Sequence, residues 1–427
     1  MASGKFQALR GTRDILTPDS ERHRALVDSF ADQARLAGYG HIMSPIFEDL
    51  GVFLRVGDST DVVTKEMYDF EDKDGKRIAL RPELTASVVR AFVQHNPPAL
   101  PWKVWYEGPQ FRHERPQAGR YRQFSQVGVE VLGSDDPAVD VEVIALGWRF
   151  YESLGMKQVS LLLNSLGDQT CRPAYFEALE SYFRDNAANL SEKSVETLDK
   201  NPLRVLDSKR REDQDIVAGA PLMVDYLTTE TAEHFAAVRA GLDSLGISYE
   251  ISPRLVRGLD YYTRTTFEFA STALENAQNA VGGGGRYDGL AESLGGKPTP
   301  GIGFALGVDR ILLACDAEDV FAGPSIAPDV FIVDLVGGGE ATVLADQLRA
   351  QGIAADRGFD GRNLRSQMKV ANRSNAPWAI IVGEDELADG NVTLRDMHGE
   401  SGQTLVSRDE VAATLAERLV QKPGRHP

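Results

Sequence analysis

The stretch that decides the fold is KVWYEGPQFRHERPQAGRYRQFSQVGVEVLG, residues 103–133. Two runs with strand character flank the polar loop HERPQAGRY, which is rich in Pro and Gly, so the pattern predicts an antiparallel hairpin. In the second run three valines point to one face, whereas Gln126, Gly128 and Glu130 point to the other, because strand side chains alternate. A polar face with a glycine in its middle lets a ligand lie close to the backbone. Periodicity alone leaves open whether ligand or water covers that face.

Three other segments carry clear local patterns. RIALRPELTASVVRAFVQH, residues 77–95, predicts a strand to Leu80, a turn through Pro82 and a helix from about Thr85. GIGFALGVDRILLA, residues 301–314, predicts a strand that turns into an apolar helix. VGGGGRYDGL, residues 281–290, contains four consecutive glycines. Those glycines fit a phosphate cradle, a flexible joint or a strand that something approaches closely.

The chain length predicts more than one domain. At 427 residues it exceeds what one hydrophobic core usually serves. Residues from about 170 to 250 are helical in pattern and highly charged, which predicts a helical insertion. A cluster of Pro, Gly and Ser at 322–330 predicts a boundary between a first domain, 1–325, and a second domain, 328–427. The second domain alternates strands and helices, which predicts a small α/β unit with a largely parallel sheet.

Composition is that of an ordinary globular protein, with 42% hydrophobic and 26% charged residues. No stretch approaches 18 apolar residues and the first residues lack the apolar core of a signal peptide, so we expect a cytoplasmic protein without a membrane partner. The net charge of −17 argues against a nucleic-acid partner. Two local runs reverse that sign: 112–122 has four arginines against one glutamate, and 357–373 has four arginines and a lysine against one aspartate. These runs fit either a polyanion bound at two places or solvated faces.

Several kinds of chemistry lose weight because their motifs are absent. The sequence has no Walker loop, no HExxH, no GxSxG and no cysteine pair with metal-binding spacing. What remains are arginines and carboxylates at strand positions. This set suits chemistry that depends on positioning and on electrostatic stabilisation of phosphate, such as nucleotidyl or phosphoryl transfer.

Taken together, these segments resemble a known family from about residue 8 to residue 420. WYEGPQFRHERPQAGRYRQFSQVGVEVLG is similar to the second signature motif of class II aminoacyl-tRNA synthetases, GIGFALGVDRILLA to the third, and GYGHIMSPIFED, residues 38–49, to the first. RGLDYYTRTTFEF, residues 257–269, and GGGGRYDGL resemble the two peptides that distinguish histidyl-tRNA synthetases within the class. NPLRVLDSK, residues 201–209, and the stretch 365–397 are typical of the bacterial type.

The resemblance implies an α+β fold with an antiparallel sheet flanked by helices, a helical insertion and a C-terminal α/β anticodon-binding domain. It implies a two-step reaction. L-Histidine and ATP give histidyl-adenylate and pyrophosphate, and the histidyl group then passes to the 3′ end of tRNA(His). The expected cofactor is ATP, as a substrate, with Mg²⁺. No structural metal and no metal site built from protein ligands alone are expected, and the resemblance implies a homodimer.

Three arginines receive catalytic roles from the resemblance. Arg112 corresponds to the arginine that holds the α-phosphate and the histidine carboxylate. Arg257 corresponds to a cation, peculiar to this family, that stabilises the charge developing during adenylate formation. Arg310 corresponds to the arginine that faces ATP.

The resemblance also assigns a histidine pocket. Its remaining members are Glu83, Thr85, Gln126, Glu130, Tyr261, Tyr262 and Gly284. Glu83 and Thr85 would hold the substrate amino group, although PELT by itself reads as a helix cap. Tyr262 and Glu130 would bind the imidazole, and the glycines would form a backbone wall. A pocket whose buried polar groups need the imidazole rejects other amino acids by roughly 10⁴ to 10⁵, so no editing domain is expected.

For two basic segments we expect contacts with ATP or tRNA. The hairpin-loop residues expected to meet ATP and the tRNA end are Arg115, Gln117, Gly119 and Arg120. Arg362, Arg365, Lys369 and Arg373 are spaced by three, four and four, which predicts one helical face. We expect that face to contact the anticodon arm.

Two rival functions stay open at this point. Synthetase-like paralogues serve as non-catalytic regulatory subunits of ATP phosphoribosyltransferase, but they typically lack the C-terminal domain and degrade the catalytic motifs. A class II synthetase for another amino acid is the second rival, and RGLDYY with GGGGRYDGL argues against it.

Overall fold

The structure is a computed structural model, and it describes residues 5–57, 62–274, 279–337, 339–399 and 402–420. The chain divides into two compact units, Met1–Pro324 and Ser325–Pro427. In these described ranges no helix combines the length and the apolar character needed to cross a membrane.

The first unit is built on a large antiparallel-dominated sheet. Its strands are β1 (Gly40–His41), β2 (Phe47–Asp49), β3 (Tyr68–Glu71), β4 (Arg77–Leu80), β5 (Trp102–Phe111), β6 (Gln123–Leu132), β7 (Val159–Ser165), β8 (Glu250–Ile251), β9 (Thr263–Ser271), β10 (Ala280–Arg286) and β11 (Gly301–Gly307). Eight of them form one sheet in the order β1-β5-β6-β11-β10-β9-β7-β8, and β2-β4-β3 form a small one. Only the edge pairs β1/β5 and β7/β8 of the large sheet are parallel. The predicted hairpin is therefore confirmed as the pair β5/β6.

Helices of the first unit lie between these strands. They are α1 (Asp19–Leu36), α2 (Leu50–Gly57), α3 (Thr85–His95), α4 (Pro137–Ser153), α5 (Arg172–Asp185), α6 (Glu192–Leu198), α7 (Gln214–Gly219), α8 (Thr229–Ser244), α9 (Leu290–Ser293) and α10 (Val308–Glu318). A π-helical turn spans Val62–Glu66, and 3₁₀ turns span Ala187–Asn189, Pro202–Asp207, Arg211–Asp213 and Met223–Tyr226. Local chemistry sets some of these starts: the Asp136 carboxylate accepts the Ala138 N–H at 2.8 Å, and Pro137 follows at the first helical position of α4.

One face of the large sheet carries the main hydrophobic core. Side chains from α1, α4, α8 and α10 pack there with the strand residues. Phe30 of α1 makes edge-to-face contacts with Phe150 of α4 and Phe304 of β11, with ring centroids 5.1 and 6.1 Å apart. The three valines of β6 that alternate with Gln126, Gly128 and Glu130 are fully buried on this side. The opposite face of β6 is therefore available for a site.

The part of the predicted insertion, about 170–250, that packs around its own hydrophobic cluster is shorter than the predicted range. A separate hydrophobic cluster runs from Cys171 to Met223 and includes Tyr175, Leu179 and Phe183. Helix α8, in contrast, packs against α4 and contributes to the main core. Charge and helical periodicity do not show whether a helix packs in the separate cluster or against the main core. The sequence pattern therefore placed α8 in the insertion.

The second unit has its own sheet and core. Its elements are β12 (Val330–Asp334), α11 (Gly339–Ala350), β13 (Ala355–Arg357), α12 (Leu364–Arg373), β14 (Trp378–Val382), α13 (Glu384–Ala388), β15 (Asn391–Asp396), β16 (Gln403–Ser407) and α14 (Val411–Val420). The sheet order is β13-β12-β14-β15-β16. The first three strands are parallel, but β15 and β16 form an antiparallel extension. The prediction of a largely parallel sheet was wrong for this part, because the sequence reading missed the short strands on either side of a glycine-containing turn.

Candidate active site

The free face of the large sheet forms a floor with few side chains. On β11 this face carries Gly303, Ala305 and Gly307. The strand register places Gly285 and Gly283 of β10 beside Gly303 and Ala305 on one side. On the other side it places Glu130, Gly128 and Gln126 of β6 beside Gly303, Ala305 and Gly307. The opposite face of β11 carries Ile302, Phe304 and Leu306, all buried in the core. Because glycine has no side chain, a ligand can lie directly against this backbone.

A cavity of about 610 Å³ opens above this floor. The predicted site residues that line it are Glu83, Thr85, Arg112, Gly119, Arg120, Gln126, Arg257, Tyr261, Tyr262 and Arg310. Segments more than 200 residues apart in the chain thus meet in one place. Arg115, Gln117, Glu130 and Gly284 are not among the lining residues.

Three guanidinium groups reach the cavity from three different elements. The Arg112 Nε, just after β5, donates to the Pro82 carbonyl at 2.9 Å, and its guanidinium lies 5.2 Å from the centre of the Phe124 ring. Arg257, in the segment before β9, binds the Glu268 carboxylate at 2.8 Å. The Arg310 Nε of α10 donates to the Ala280 carbonyl at 2.5 Å. Each cation is oriented by a fixed acceptor, which leaves the assembly suited to an anionic ligand.

Like charges meet near Arg310. Burial is the main cause that lowers the pKa of Arg310, and the neighbouring Arg120 lowers it further. Arg120 also lies 3.6 Å from the Glu114 carboxylate. Two cations brought together beside a cavity are what a bound phosphate requires.

Gly283 lies at a position beside the cavity where there is no room for a side chain. A Cβ placed on it would lie 2.7 Å from the Arg257 Nη1 and equally close to the Phe267 carbonyl oxygen. Gly284 points the other way, where a Cβ would collide with the Gly303 carbonyl oxygen and with Phe304. The prediction that Gly284 belongs to the substrate wall is therefore corrected: close packing between β10 and β11 explains that glycine, and Gly283 takes the wall position.

Glu83 lies at the start of α3, where the sequence PELT also reads as a cap. Its carboxylate oxygens accept the N–H of Thr85 at 2.5 Å and the N–H of Ala86 at 2.9 Å. Burial, the largest cause, raises the pKa of Glu83, although these amide donors and the charge of Arg112 oppose the change. The carboxylate thus caps a helix and faces the cavity at once, and its contact with a substrate amino group stays a prediction.

Glu130 lies beneath the cavity and is fully buried, at 0% exposure. One carboxylate oxygen accepts the Thr85 hydroxyl at 2.7 Å and the Tyr106 hydroxyl at 3.1 Å, and the other accepts the Tyr287 hydroxyl. Burial raises the pKa of Glu130 to about 8, while the hydroxyl donors oppose this rise. A buried carboxyl with a pKa near the physiological range is typical of a functional site.

Tyr106 and Tyr287 are the members of this cluster that the sequence analysis missed. Tyr106 pairs with Gly128 across β5 and β6, so the strand register was the signal that could have found it. Tyr287 stands within the quoted stretch GGGGRYDGL. Both side chains are almost completely buried.

The two adjacent tyrosines lie over this carboxyl cluster. The rings of Tyr261 and Tyr262 are 4.6 Å apart, and the rings of Tyr261 and Tyr287 are 5.9 Å apart with an edge-to-face geometry. Burial is the main cause that raises the pKa of Tyr262. The Gln126 Oε1 is buried and has no hydrogen-bond partner among the described residues. It offers an acceptor to an N–H group of a ligand.

The hairpin loop is folded back on itself. Gln117 and Arg120 exchange backbone hydrogen bonds of 3.1 and 3.0 Å. Gly119 has φ +68° and a Cβ there would lie 2.6 Å from the Leu313 Cδ1 of α10, so only glycine fits this turn. Arg115 is exposed and is not among the residues that line the cavity.

An N-terminal segment, which the sequence analysis did not connect with the site, braces this hairpin. The Gly11 carbonyl accepts the Arg122 N–H at 2.7 Å, and the Arg122 carbonyl accepts the Arg112 N–H at 2.9 Å. The Arg13 guanidinium binds Asp309 at 2.6 Å and lies 4.3 Å from the centre of the Tyr121 ring. The base of the hairpin is thus tied to the start of α10.

In the second unit, the basic side chains divide between a helix and a loop. Arg365, Lys369 and Arg373 are exposed on α12. Arg362 precedes the helix, whose cap is Asn363, and it pairs with Asp360 at 3.1 Å. The prediction of four cations on one helical face is corrected to three. Leu364, the first residue of α12, is 44% exposed, and the buried residues of this helix are Gln367 and Ala371.

Among the residues that the structure describes, no three His, Cys, Asp or Glu side chains form a group that could hold a metal ion. Both cysteines, Cys171 and Cys315, are free and buried.

Comparisons with known proteins agree with this geometry. The family model described as Histidyl-tRNA synthetase matches residues 11–311, and the one described as Anticodon binding domain matches residues 329–418. A curated histidine–tRNA ligase of Nocardia farcinica is 49% identical over 425 residues, covering 98% of this chain and 99% of that protein. The histidine–tRNA ligase of Streptomyces coelicolor is 48% identical over 421 residues, covering 97% and 98%.

A solved structure also supports the fold. The apo histidyl-tRNA synthetase of Staphylococcus aureus superposes with a TM-score of 0.81 at 35% identity, covering 96% of this chain and all of that chain. The predicted α+β fold, with a class II antiparallel sheet and a C-terminal anticodon-binding domain, is confirmed. The full-length matches to ligases disfavour the alternative of a regulatory subunit. The chain therefore belongs to the histidyl-tRNA synthetase family.

Proposed function

We propose that the cavity above β6, β10 and β11 performs both steps of the histidine–tRNA ligase reaction. The observation that carries the proposal is a fully buried carboxyl, Glu130, beneath three guanidinium groups that converge on one cavity. The carboxyl suits an imidazole and the cations suit a triphosphate. We assign this chemistry to residues 1–325 and anticodon binding to residues 328–427.

In the first step, a histidine carboxylate oxygen attacks the α-phosphorus of ATP and pyrophosphate leaves. Arg112 is placed to hold the α-phosphate and the substrate carboxylate, which keeps two anions in contact despite their mutual repulsion. Arg257, oriented by Glu268, stabilises the negative charge that develops on the α-phosphate oxygens. Arg310 and Arg120 hold the outer phosphates. These roles need no covalent intermediate with the protein.

Histidine selection depends on hydrogen bonds that other amino acids do not complete. A neutral imidazole has one N–H donor and one acceptor nitrogen. We assign the acceptor for its N–H to Glu130 and the donor for its other nitrogen to Tyr262. Glu83 and Gln126 supply oxygens for the substrate ammonium, together with Thr85. An apolar side chain would leave the Tyr262 hydroxyl without this acceptor and would make no hydrogen bond to Glu130, which favours histidine.

ATP is the proposed second substrate, with Mg²⁺ as its counter-ion. Mg²⁺ in nucleotide sites is usually held by one or two carboxylates and by phosphates. Glu114 and Glu268 line the cavity and fit that donor set. The ion supplies charge neutralisation on the phosphates when bound, and the arginines orient them.

For the second step, we assign the hairpin loop to the tRNA end. Arg115, Gln117, Gly119 and Arg120 belong to this loop, and its exposed Arg115 extends a basic surface beyond the cavity. The 3′ hydroxyl of tRNA(His) then attacks the histidyl carbonyl and AMP leaves. The geometry fits because one loop borders both the phosphate end of the cavity and solvent.

We assign Arg362, Arg365, Lys369 and Arg373 of the second unit to the anticodon arm. The exposed side chains on α12 form a cationic row on an otherwise acidic chain. Reversing two charges with Arg365→Glu and Lys369→Glu is expected to weaken tRNA(His) binding and to reduce the slope of log Kd against log salt by about one to two. Arg395→Glu, at an exposed strand position of the same unit, is the matched control. Equal affinities and slopes for both variants would contradict the assignment.

We also propose that the chain acts as a homodimer in the cytoplasm. Large apolar side chains are exposed in the first hundred residues, among them Phe6, Met43, Phe47, Phe70 and Leu100. Exposed apolar groups in such number fit an interface. Sedimentation equilibrium measures this directly, and a mass of one chain at all concentrations would contradict it.

The deciding experiment is histidine-dependent exchange of labelled pyrophosphate into ATP. It is run with each of the twenty amino acids and without tRNA. Exchange with histidine alone supports the activity, its specificity and the site together. Exchange with a different amino acid would reject the histidine assignment. No exchange with or without tRNA would favour the regulatory-subunit reading.

A further inference from the structure

The segment that presents Arg257, Tyr261 and Tyr262 has little secondary structure of its own. It spans residues 252–262 between β8 and β9, and none of these residues belongs to a helix or a strand. Only its first residue continues the strand pairing, since the Ser252 N–H donates to the Leu163 carbonyl at 2.9 Å, and residues 253–262 are not part of a sheet ladder. Something else must fix a guanidinium and two phenols at the cavity wall.

The helical insertion supplies the fixing contacts at the centre of this segment. One guanidinium nitrogen, the Arg204 Nη2, donates to the Gly258 carbonyl at 2.9 Å and to the Asp260 carboxylate at 3.0 Å. The Asn201 side-chain amide donates to the same carboxylate oxygen at 3.2 Å. The Arg204 and Asp260 side chains are 22% and 24% exposed, so the ion pair is only partly screened by water.

Further contacts hold the two ends of the segment. The Arg254 guanidinium donates to the Pro221 carbonyl at 3.0 Å and to the Ala218 carbonyl at 2.8 Å, both in the insertion. At the other end, Arg172 of α5 donates to the Tyr262 carbonyl at 2.9 Å. Between them, Val256 packs against the hydrophobic cluster of the insertion.

We propose that Arg204 is a positioning residue for histidine activation, acting from the insertion through Gly258 and Asp260. Gly258 follows Arg257 directly, so fixing its carbonyl orients the peptide that carries the guanidinium. Asp260 precedes Tyr261, so fixing its carboxylate orients the two phenols. The insertion is thus a structural part of the active-site wall. The inference rests on the proposed function for its catalytic consequence, but not for the contact itself.

Removing the contact should impair the reaction without touching a substrate. In Arg204→Met, we expect kcat/KM for histidine in pyrophosphate exchange to fall about a hundredfold, because small displacements of catalytic groups have effects of that order. Arg204→Lys keeps the charge and should recover part of the loss. The matched control is Arg184→Met in the same insertion, whose arginine pairs with Glu180 at 2.7 Å and Asp199 at 3.3 Å on the surface. The control should activate histidine like the unmodified chain.

A second measurement tests positioning independently of activity. Amide hydrogen exchange of residues 255–262 should accelerate at least tenfold in Arg204→Met and stay unchanged in Arg184→Met. Asp260→Asn, which preserves shape, should give a smaller acceleration because the Arg204 contact with the Gly258 carbonyl remains, and adding Arg204→Met to it should bring the rate to that of Arg204→Met alone. Unchanged exchange in the folded Arg204→Met and Asp260→Asn variants would overturn the proposal.

The two hypotheses fail in different ways. If the unmodified chain does not activate histidine, the proposed function falls, whereas the amide exchange rates still decide whether Arg204 holds the segment. If the unmodified chain activates histidine and the Arg204→Met variant, folded by circular dichroism, activates it equally well, the positioning role falls and the proposed function stands.

Discussion

Replacing Glu130 with glutamine should make the protein more stable and less active, and the two effects have one physical cause. The Glu130 carboxyl is fully buried, and burial raises its pKa from 4.5 to about 8. Glutamine keeps the shape and removes the titration. Its amide NH₂ can donate to the Tyr287 hydroxyl oxygen, and its carbonyl oxygen can still accept the Thr85 and Tyr106 hydroxyls, so the cluster stays hydrogen-bonded.

The magnitude follows from linkage. Because the folded carboxyl holds its proton to a higher pH than the unfolded one, the free energy of unfolding falls as pH rises from about 4.5 to about 8. A difference of three to four pKa units at 1.36 kcal/mol each gives roughly 5 kcal/mol as an upper bound. Glu130→Gln lacks this term. The two proteins should be about equally stable at pH 5, and the variant should be the more stable one at pH 9.

Histidine activation should change in the opposite direction. Above about pH 8, where the Glu130 carboxyl is ionised, the variant loses a charged acceptor for the imidazole N–H, and hydrogen bonds to charged groups contribute about 1.5–3 kcal/mol. At 1.36 kcal/mol per factor of ten, kcat/KM for histidine should fall roughly 10- to 150-fold. Discrimination against phenylalanine should weaken with it, because the variant loses a hydrogen bond that histidine makes and phenylalanine does not.

The assay combines urea unfolding at pH 5, 7 and 9 with pyrophosphate exchange at pH 9, where the Glu130 carboxyl is ionised. Asp140→Asn is the control, since it removes another buried carboxylate. Burial raises the pKa of Asp140, but hydrogen bonds from His234 and the charge of Arg286 outweigh burial and lower it overall. That control should therefore lose stability at neutral pH. A Glu130→Gln variant that is less stable than the unmodified chain at pH 9, or equally active with histidine, would refute the reasoning.

Three further substitutions test other parts of the site. Arg257→Ala should lower the rate of histidyl-adenylate formation by about a hundredfold or more in a single-turnover assay. The free energy of unfolding should change by about 1–2 kcal/mol, because Glu268 loses a partly exposed partner. Near-normal adenylate formation in this variant would reject the role of Arg257. Gly283→Ala should raise the Kd for histidine about tenfold or more, since a Cβ would lie 2.7 Å from the Arg257 Nη1. Isothermal titration with histidine measures this Kd, and an unchanged value would show that this position does not need glycine. Arg13→Gln should raise the KM for ATP several-fold, because it breaks the contact with Asp309 that braces the hairpin; an unaltered KM would show that the segment is not part of the site.

Local patterns predicted much of the fold. The hairpin β5/β6, the turn into α3 and the strand-to-helix stretch at β11 and α10 were all readable from alternation, Pro and Gly positions and helical spacing. Resemblance to a family then named the arginines and the histidine pocket. Ten of the predicted residues line the one cavity described above.

The misses share a physical origin in contacts between distant segments. The hydrogen bonds to the Glu130 carboxylate come partly from Tyr106 and Tyr287. These tyrosines lie 181 positions apart in the chain and are brought together only by the strand register. Which glycine faces the cavity depends on the same register, since a shift of one residue moves a side chain to the other face. β15 and β16 were missed because short strands are stabilised by their neighbours more than by their own pattern.

The sequence by itself determined the elements, the family and the chemical types of the site residues, because these depend on local spacing and on residues that a motif keeps together. Tertiary structure alone decided that Glu130 is buried with a raised pKa, that Gly283 rather than Gly284 faces the cavity, and that the insertion holds the segment carrying Arg257. Each of these depends on which surfaces exclude water and on which distant donors reach a given acceptor. Neither property is a function of neighbouring residues along the chain.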